Sequence, residues 1–376
     1  MTALAPTAVY LDRIARARVA MEQAGVDALL VSVGSDLPYL TGYEAMPLER
    51  LTMLVVPRDG EATMVIPRLE APRVAPQPGV FELRRWDEIE DPVAIVAELV
   101  EAGCRPSKVA VGDTMWARFL VALLEHWPSD GTHYVRSAEV MNPLRIRKDQ
   151  AEIDALVAAG AAADRVAAQL QAGEIELVGR TEAAVSADIG ARLLAEGHDI
   201  VNFAIVAAGP NAASPHHHAS SRVISAGELV LCDFGGTMAG YCSDITRCVS
   251  LGPPPAEVAE AYAVLHEAQA AGVAAAVVGA ACEDVDRASR RVIDEAGYGE
   301  WFIHRTGHGI GMEAHEDPYM VEGNTLPIAT GHAFSVEPGI YLDGRWGMRL
   351  EDCVVATDDG PLPLNRADHS LVVLDV

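Results

Sequence analysis

The chain is poor in basic residues: among its 376 residues, 28 are Lys or Arg and 54 are Asp or Glu, which gives a formal net charge of -26. Nucleic acids and anionic membrane surfaces are bound by clusters of Lys and Arg, so neither is expected as a partner. No apolar run reaches the roughly 18 residues of a membrane span. The apolar opening, residues 1–6, is too short for a secretory signal peptide and is soon followed by charged residues.

The sequence also lacks a cysteine pattern. None of its six cysteines forms a CxxC pair, which argues against a structural zinc site and fits reduced thiols in a cytoplasmic protein. Cys242 and Cys353 each lie two residues from an acid considered below. Cysteine is among the most buried residue types, so we interpret both as packing residues. The six are Cys104, Cys232, Cys242, Cys248, Cys282 and Cys353.

A chain of this length exceeds the usual size of one hydrophobic core, which favours two domains. Apolar segments at 27–32, 51–57, 62–67 and 108–113 predict strands, and patterns at 8–24, 91–103 and 115–127 predict helices. This alternation indicates an α/β layer sandwich with a mixed sheet. The charged stretch after Asn142-Pro143 indicates a boundary near residue 145, so the predicted domains are 1–145 and 146–376.

The second domain reads as α+β. Helices are predicted from about 145 to 171, at 181–196, from 253 to about 278 and at 283–296, with a strand at 202–209. Between them, segment 229–247 (LVLCDFGGTMAGYCSDITR) places two acids inside runs typical of buried strands. Gly235 and Gly236 allow a turn, which predicts a hairpin that carries Asp233 on one strand and Asp244 on the other.

Side chains alternate along a strand, so Asp244 and Thr246 share one face, and the two hairpin acids point to one spot. A buried carboxylate is costly unless a cation or donor compensates it, and no Lys or Arg lies between residues 225 and 245. Two facing carboxylates favour a divalent cation between them. The alternative is that Asp233 and Asp244 cap turns, as Asp near glycine often does.

Three later motifs add ligand types. HRTGHGIGMEAHEDP (304–318) places three histidines and three acids among glycines, FSVEPGIY (334–341) ends an apolar run at Glu337, and GMRLEDCVVA (347–356) reads as a strand interrupted by Glu351. One histidine and four carboxylates on separate buried elements form an oxygen-rich set. Such a set suits two divalent ions of the Mn, Co or Zn kind better than it suits a thiolate-bound zinc.

These motifs, DFGG, SDITR, GHGIG, EPGIY and RLED, resemble those of the pita-bread metallopeptidases, most nearly prolidase and aminopeptidase P. The resemblance covers about residues 150–370 and implies a C-terminal pita-bread (creatinase/aminopeptidase) fold, with duplicated helix and hairpin halves. It also implies an N-terminal creatinase-like α/β domain. The five metal ligands that it implies are Asp233, Asp244, His308, Glu337 and Glu351.

By the same resemblance, two ions share a water or hydroxide. Asp233 serves one ion, His308 and Glu337 serve the other, and Asp244 and Glu351 bridge both. Manganese is the expected metal, with cobalt or zinc as alternatives. Glu337 is also expected to move the proton during catalysis, and the neighbouring Asp352 points to the opposite face of its strand.

Further residues match non-ligand positions of the family. His216 is expected to reach the substrate, His304 matches another non-ligand histidine, and His315 is expected to stabilise the oxyanion. In the PHHH run, His217 and His218 are expected only to face water. Arg349 is expected either to offset the acids or to bind a substrate carboxylate, and a pocket role is suspected for Tyr241.

The function implied is hydrolysis of the bond before proline, in Xaa-Pro dipeptides, by a cytoplasmic homodimer. Aminopeptidase P, which acts on longer Xaa-Pro-Xaa peptides, is the alternative within the same chemistry. A catalytically silent binding module of this fold is the alternative from another class. The intact ligand set argues against that module and against creatinase, and the 145 preceding residues argue against methionine aminopeptidase.

Overall fold

The computed structural model describes residues 5–101 and 105–375. It divides into two compact units, residues 1–145 and 146–376. Among the described residues, no helix combines the length and apolar character needed to cross a membrane. Cys104 and the last two residues of the helix predicted at 91–103 lie outside the described residues.

The first unit is built on a six-stranded mixed sheet in the order β4-β3-β2-β1-β5-β6. Of the five pairs of neighbouring strands, β1/β2 and β2/β3 are antiparallel, and β3/β4, β1/β5 and β5/β6 are parallel. Its elements are α1 (Thr7–Ala24), β1 (Ala28–Val31), α2 (Asp36–Thr41), β2 (Met53–Pro57), β3 (Thr63–Pro67), β4 (Glu82–Trp86), α3 (Pro92–Val100), β5 (Lys108–Val111), α4 (Ala117–His126), β6 (His133–Arg136) and α5 (Ala138–Arg145).

The predicted helices and strands of this unit are present, but two strands were missed. Strand β4 has the sequence ELRRW and β6 has HYVR, and neither carries the apolar run that marks β1, β2 and β3. Both lie at the two edges of the sheet, where a strand has one neighbour and tolerates charged side chains. The buried strands in the middle supply the core that Leu30, Val55, Val65 and Val109 form with Trp127.

The second unit alternates helix pairs with strands. Its first half contains α6 (Gln150–Gln171), α7 (Glu182–Ala195), β7 (Ile200–Ala208), a 3₁₀ turn (Gly209–Ala213), β8 (Leu229–Met238), β9 (Tyr241–Cys242) and β10 (Ile245–Leu251). Its second half contains α8 (Ala256–Ala275), α9 (Cys282–Glu295), β11 (Gly307–Gly309), β12 (Glu316–Met320), β13 (Ala333–Val336), β14 (Gly339–Leu342), β15 (Trp346–Arg349), β16 (Asp352–Thr357), β17 (Gly360–Pro363) and β18 (Val372–Leu374).

Local signals explain where the helices begin. Asp149 and Glu152 form a capping box at the start of α6, which is why this helix starts at residue 150 and not at the predicted boundary near 145. Thr181 caps α7 by accepting from Ala184 N. Upstream, Pro143 does not end α5, because that helix continues to Arg145.

Three sheets make the framework of the second unit. One has the order β18-β10-β8-β7 with β9 paired to β8, another has the order β12-β11-β13-β16-β17, and β14 pairs with β15. An isolated antiparallel bridge between Thr246 and Glu351 connects β10 with the link between β15 and β16. Because this bridge joins elements from both halves of the unit, side chains from distant parts of the chain meet there.

Candidate metal centre

The predicted hairpin is present and brings its two acids to one face, but its turn is not where the sequence predicted it: Gly235 and Gly236 lie inside β8, and the turn falls at Ala239 and Gly240. Asp233 on β8 lies opposite Thr246 on β10, and Asp244 precedes β10 by one residue. Both carboxylates are buried, and within the described part of the chain the Oδ1 atom of each has no hydrogen-bond partner. A buried carboxylate oxygen without a donor is costly, so these two atoms indicate room for a cation.

Three other elements bring the remaining predicted ligands to the same place. Glu351 lies between β15 and β16, Glu337 directly follows β13, and His308 is the middle residue of β11. Thr246 Oγ1 donates to Glu351 Oε2 at 2.6 Å. His308 Nε2 lies 3.1 Å from Glu337 Oε1 and 3.8 Å from Asp244 Oδ2. The structure therefore brings together all five residues that the sequence singled out as ligands.

The possible ligand atoms of these five residues and of His315 form three overlapping groups. Within each group, every ligand atom lies within 4.8 Å of the others. The set is rich in carboxylate oxygen with imidazole nitrogen and no thiolate, which suits divalent ions such as manganese. The residues present thus fit metal ions on the chemistry of their donors and on their unpartnered oxygens. The groups are Asp233, Asp244 and Glu351; His308, Glu337 and Glu351; and Asp244, His308 and His315.

The carboxylates of the cluster have unequal tendencies to ionise. Burial and the charges of Glu351 and Asp233 hold the pKa of Asp244 well above its ordinary value. Burial and the charges of Glu337 and Asp233 likewise hold the pKa of Glu351 well above its ordinary value. For Glu337, burial acts in the same direction, but the contact with His308, together with the charges of His304 and Arg349, outweighs it and lowers the pKa to about 2.

Arg349 compensates part of this charge from another strand. Its Nη2 donates to Asp233 Oδ2 at 2.5 Å, its Nη1 to the Tyr341 hydroxyl at 2.8 Å and its Nε to Thr246 Oγ1 at 3.1 Å. Burial raises the pKa of Asp233, and the Arg349 charge opposes that rise. No Lys or Arg lies between residues 225 and 245, but Arg349 brings a cation to Asp233 from another strand. These contacts favour the interpretation of Arg349 as a partner of the acids.

Two of the predicted non-ligand histidines line the cluster. His304 Nε2 lies 2.9 Å from the Tyr341 hydroxyl oxygen. The ring of His315 lies 3.9 Å from the ring of His308, centroid to centroid. Although part of His315 is exposed, burial of the rest and the charge of His308 lower its pKa to about 4. A neutral imidazole at this position can donate to a developing oxyanion from one nitrogen.

The PHHH run differs in part from expectation. His216 is exposed, and the carbonyl of the residue before it accepts from Arg349 Nη1 at 3.4 Å, so the run reaches the cluster. His218 is exposed, as predicted. The prediction that His217 only faces water is wrong, because its Nε2 lies 2.8 Å from Oε2 of the buried Glu182.

Glu182 is a buried anion that the sequence analysis missed. It is the first residue of α7, and the sequence indicated only that a helix begins near this position. Its carboxylate accepts from Ala208 N at 3.0 Å, from Asn211 Nδ2 at 3.0 Å and from Ser220 Oγ at 2.6 Å, in addition to His217. These bonds outweigh its burial and lower its pKa to about 2. Glu182 therefore anchors the loop that carries His216.

Other predicted neighbours of the site have packing roles. The Tyr241 hydroxyl donates to Glu152 of α6 at 2.9 Å, which is a packing contact, and the suspected pocket role of Tyr241 stays a prediction. Cys242 and Cys353 lie in the same apolar cluster as Tyr241, and neither belongs to the groups of possible metal ligands. Asp352 faces away from the cluster, as predicted, and pairs with Arg247 at 2.7 Å.

Comparison with known proteins agrees with this geometry. The model of a family described as metallopeptidase family M24 matches residues 154–358, which is more than half of the chain. The chain belongs to this metallopeptidase family. The creatinase/prolidase N-terminal domain model matches residues 13–147. The fold is therefore a pita-bread domain with a creatinase-like domain before it, as the motifs predicted, and the protein is a metallopeptidase.

Several known proteins match this chain over nearly their whole lengths. A probable dipeptidase, PepE, of Mycobacterium tuberculosis is 44% identical over 98% of this chain and 97% of its own. A Xaa-Pro dipeptidase of Lactobacillus delbrueckii subsp. lactis is 35% identical over 95% and 97%. The solved structure of a prolidase from Thermococcus sibiricus superposes with a TM-score of 0.90 at 37% identity, over 97% of this chain and 99% of that one.

Proposed function

We propose that the five clustered residues hold two divalent metal ions. Asp233 would hold one ion, His308 and Glu337 would hold the other, and Asp244 and Glu351 would be shared between the two. The overlapping groups support this arrangement, because Glu351 belongs to the group around Asp233 and to the group around His308. The two unpartnered oxygens on Asp233 and Asp244 are the observation that carries the proposal. Manganese is the proposed metal, with cobalt or zinc as alternatives.

His315 is assigned to the substrate and not to the metals. It offers a nitrogen close to Asp244 and His308, but it is exposed, whereas the five proposed ligands are buried or largely buried. An exposed, neutral imidazole beside the cluster is placed to donate to the substrate carbonyl oxygen as that oxygen becomes negative. His216, on the loop that Glu182 anchors, is the second proposed contact with substrate, and His304 orients Tyr341.

The proposed reaction is hydrolysis of the peptide bond before proline. Bound divalent ions supply polarisation of the scissile carbonyl and a lower pKa for the attacking water. Glu337 has an ionised carboxylate, whose Oε1 accepts from Ser335 Oγ at 3.0 Å. It takes the proton as the water oxygen bonds to the carbonyl carbon. It then gives that proton to the proline nitrogen as the carbon–nitrogen bond breaks.

The proposed substrates are Xaa-Pro dipeptides. The similarity to a Xaa-Pro dipeptidase and a prolidase supports this choice. An Xaa-Pro bond is a tertiary amide that lacks an N–H, so its hydrolysis depends on activating the carbonyl and protonating the ring nitrogen. The residues described above offer groups for both steps. Aminopeptidase activity on longer Xaa-Pro-Xaa peptides remains the alternative that the assay must separate.

The assay compares kcat/KM for an Xaa-Pro dipeptide, the matching Xaa-Ala dipeptide and the matching Xaa-Pro-Xaa tripeptide, with manganese or cobalt added to metal-free protein. The proposal predicts the highest value for Xaa-Pro. A higher value for the tripeptide would identify an aminopeptidase, and equal values for Xaa-Pro and Xaa-Ala would identify a dipeptidase without proline preference. Asp244→Ala is the matched inactive control.

We also propose a cytoplasmic homodimer. The five cysteines in the described part of the chain are buried and unpaired, which fits a reducing compartment. The dimer rests on the family resemblance. Sedimentation equilibrium of the metal-loaded protein tests it, and a mass equal to one 39.9 kDa chain would contradict it.

A further inference from the structure

Arg247 is a completely buried arginine directly behind the metal centre. It follows Thr246 on β10, so its side chain points to the face of the strand opposite Thr246. It is among the largest fully buried side chains of the molecule. A guanidinium is always charged, so its burial requires that its donors be paired.

All five N–H donors of Arg247 are used. Its Nη1 donates to the carbonyl oxygens of Thr246 at 3.0 Å and Glu351 at 2.7 Å. Its Nη2 donates to Asp352 Oδ1 at 2.7 Å and to the carbonyl oxygen of Ala367 at 2.9 Å. Its Nε donates at 2.9 Å to the carbonyl oxygen of the next residue, Asp368.

Two of these carbonyl groups belong to the bridge that holds Glu351 in place. Thr246 on β10 and Glu351, between β15 and β16, form an isolated antiparallel bridge. On the side of the metal centre, Thr246 Oγ1 donates to the Glu351 carboxylate. On the other side, Arg247 binds the main chain of both residues. The pair is therefore fixed from both faces, and the position of the Glu351 carboxylate depends on both contacts.

The same guanidinium connects this bridge to the segment after β17. Its bonds to residues 367 and 368 hold that segment against β10, and His369 Nε2 lies 2.5 Å from Asp352 Oδ2. Gln269 on α8 approaches the same oxygen at 3.3 Å. Asp352 therefore has two partners besides Arg247, so the bonds from Arg247 to carbonyl groups are not needed to compensate the charge of Asp352.

We propose that Arg247 is a positioning residue for the metal centre: by binding the carbonyl groups of Thr246 and Glu351 it sets the place of the carboxylate shared by both ions. This rests on the proposed metal centre. Groups that orient metal ligands from behind typically change metal affinity by about 10- to 100-fold when removed. Lysine cannot replace Arg247, because it has three donors and not five in a fixed fork.

Manganese titration of metal-free protein tests the proposal without substrate. Arg247→Lys keeps the charge and is expected to weaken manganese binding by at least about tenfold, measured by calorimetry well below the unfolding temperature. Arg192→Lys is the matched control, because Arg192 also bonds through all three nitrogens, to Asp188, Gln169 and the carbonyl of Glu174, without touching the metal centre. The control is expected to keep the parent's affinity.

A double variant covers the case in which Arg247→Lys does not fold. Arg247→Gln with Asp352→Asn removes both charges of the pair, so no buried charge is left without a partner. It is expected to show the same loss of manganese affinity. Parent-like affinity in either folded variant would overturn the proposal, even if the unfolding temperature fell. If the parent itself bound no manganese, the metal centre would fail, and the role of Arg247 would fail with it.

Discussion

Replacement of Asp244 by asparagine should stabilise the metal-free protein and destabilise the metal-loaded protein relative to the parent. Asp244 is buried against other carboxylates, and its Oδ1 has no partner within the described residues. Its ligand oxygen lies within 4.8 Å of those of Asp233 and Glu351. Two unit charges at that distance repel by about 3 to 4 kcal/mol at an effective dielectric constant of about 20.

Proton uptake limits this cost. The pKa of Asp244 lies well above the ordinary value of 3.8, and a proton taken up at pH 7 costs about 1.4 kcal/mol for each unit between 3.8 and 7. The ceiling is therefore about 4 kcal/mol, and relaxation of the neighbouring carboxylates reduces it further. We expect the neutral asparagine side chain at this position to raise the free energy of unfolding of metal-free protein by about 1 to 3 kcal/mol, or about 5 °C in Tm.

With manganese bound, the parent should instead have the higher free energy of unfolding. A ligand at 100 times its Kd stabilises the folded state by about 2.7 kcal/mol, and the variant lacks one shared carboxylate. Calorimetric unfolding at pH 7, with chelator and with manganese, measures both effects. Asp343→Asn, at an exposed carboxylate between β14 and β15, is the control and should change neither value. A metal-free variant less stable than the parent, with an undiminished response to manganese, would refute the reasoning.

Three further changes test other parts of the site. His315→Ala should leave the metal content unchanged and lower kcat by about 100-fold, as loss of a single oxyanion donor does; loss of an ion on elemental analysis would make it a ligand. Glu182→Ala should lower the free energy of unfolding by about 2 to 4 kcal/mol in urea titration, because it leaves several buried donors unpaired; a change below about 0.5 kcal/mol would show that the loop does not depend on it. Arg349→Lys should lower kcat/KM by about 10- to 100-fold through loss of the charged bonds to Asp233 and Tyr341, and parent-like kinetics would exclude this role.

Much of the fold followed from local patterns. Apolar runs predicted β1, β2, β3 and β5, and two acids inside apolar runs predicted the β8–β10 hairpin, although its turn lies at residues 239–240 and not at the glycines of DFGG. Strands β4 and β6 were missed because charged edge strands lack the apolar pattern that marks a buried strand. The start of α6 at residue 150 depends on the capping box of Asp149 and Glu152, which the sequence analysis did not recognise within the surrounding charged stretch.

The acids of the candidate site could be singled out from the sequence because acids inside apolar strands are costly without compensation. Their neighbours could not, because the contacts join residues far apart in the chain. Glu182 reaches His217 across 35 positions, and Arg247 reaches Glu351 across 104. Nothing near either residue indicates its partner, which is why His217 was assigned to solvent and Arg247 received no role.

The most direct test of the account is the position of bound metal. Crystals of the protein loaded with manganese should show two anomalous difference peaks within the cluster. One should contact Asp233, the other should contact His308 and Glu337, and both should contact Asp244 and Glu351. A single peak, a peak that Asp244 and Glu351 do not share, or no peak at all would contradict the proposed two-metal centre.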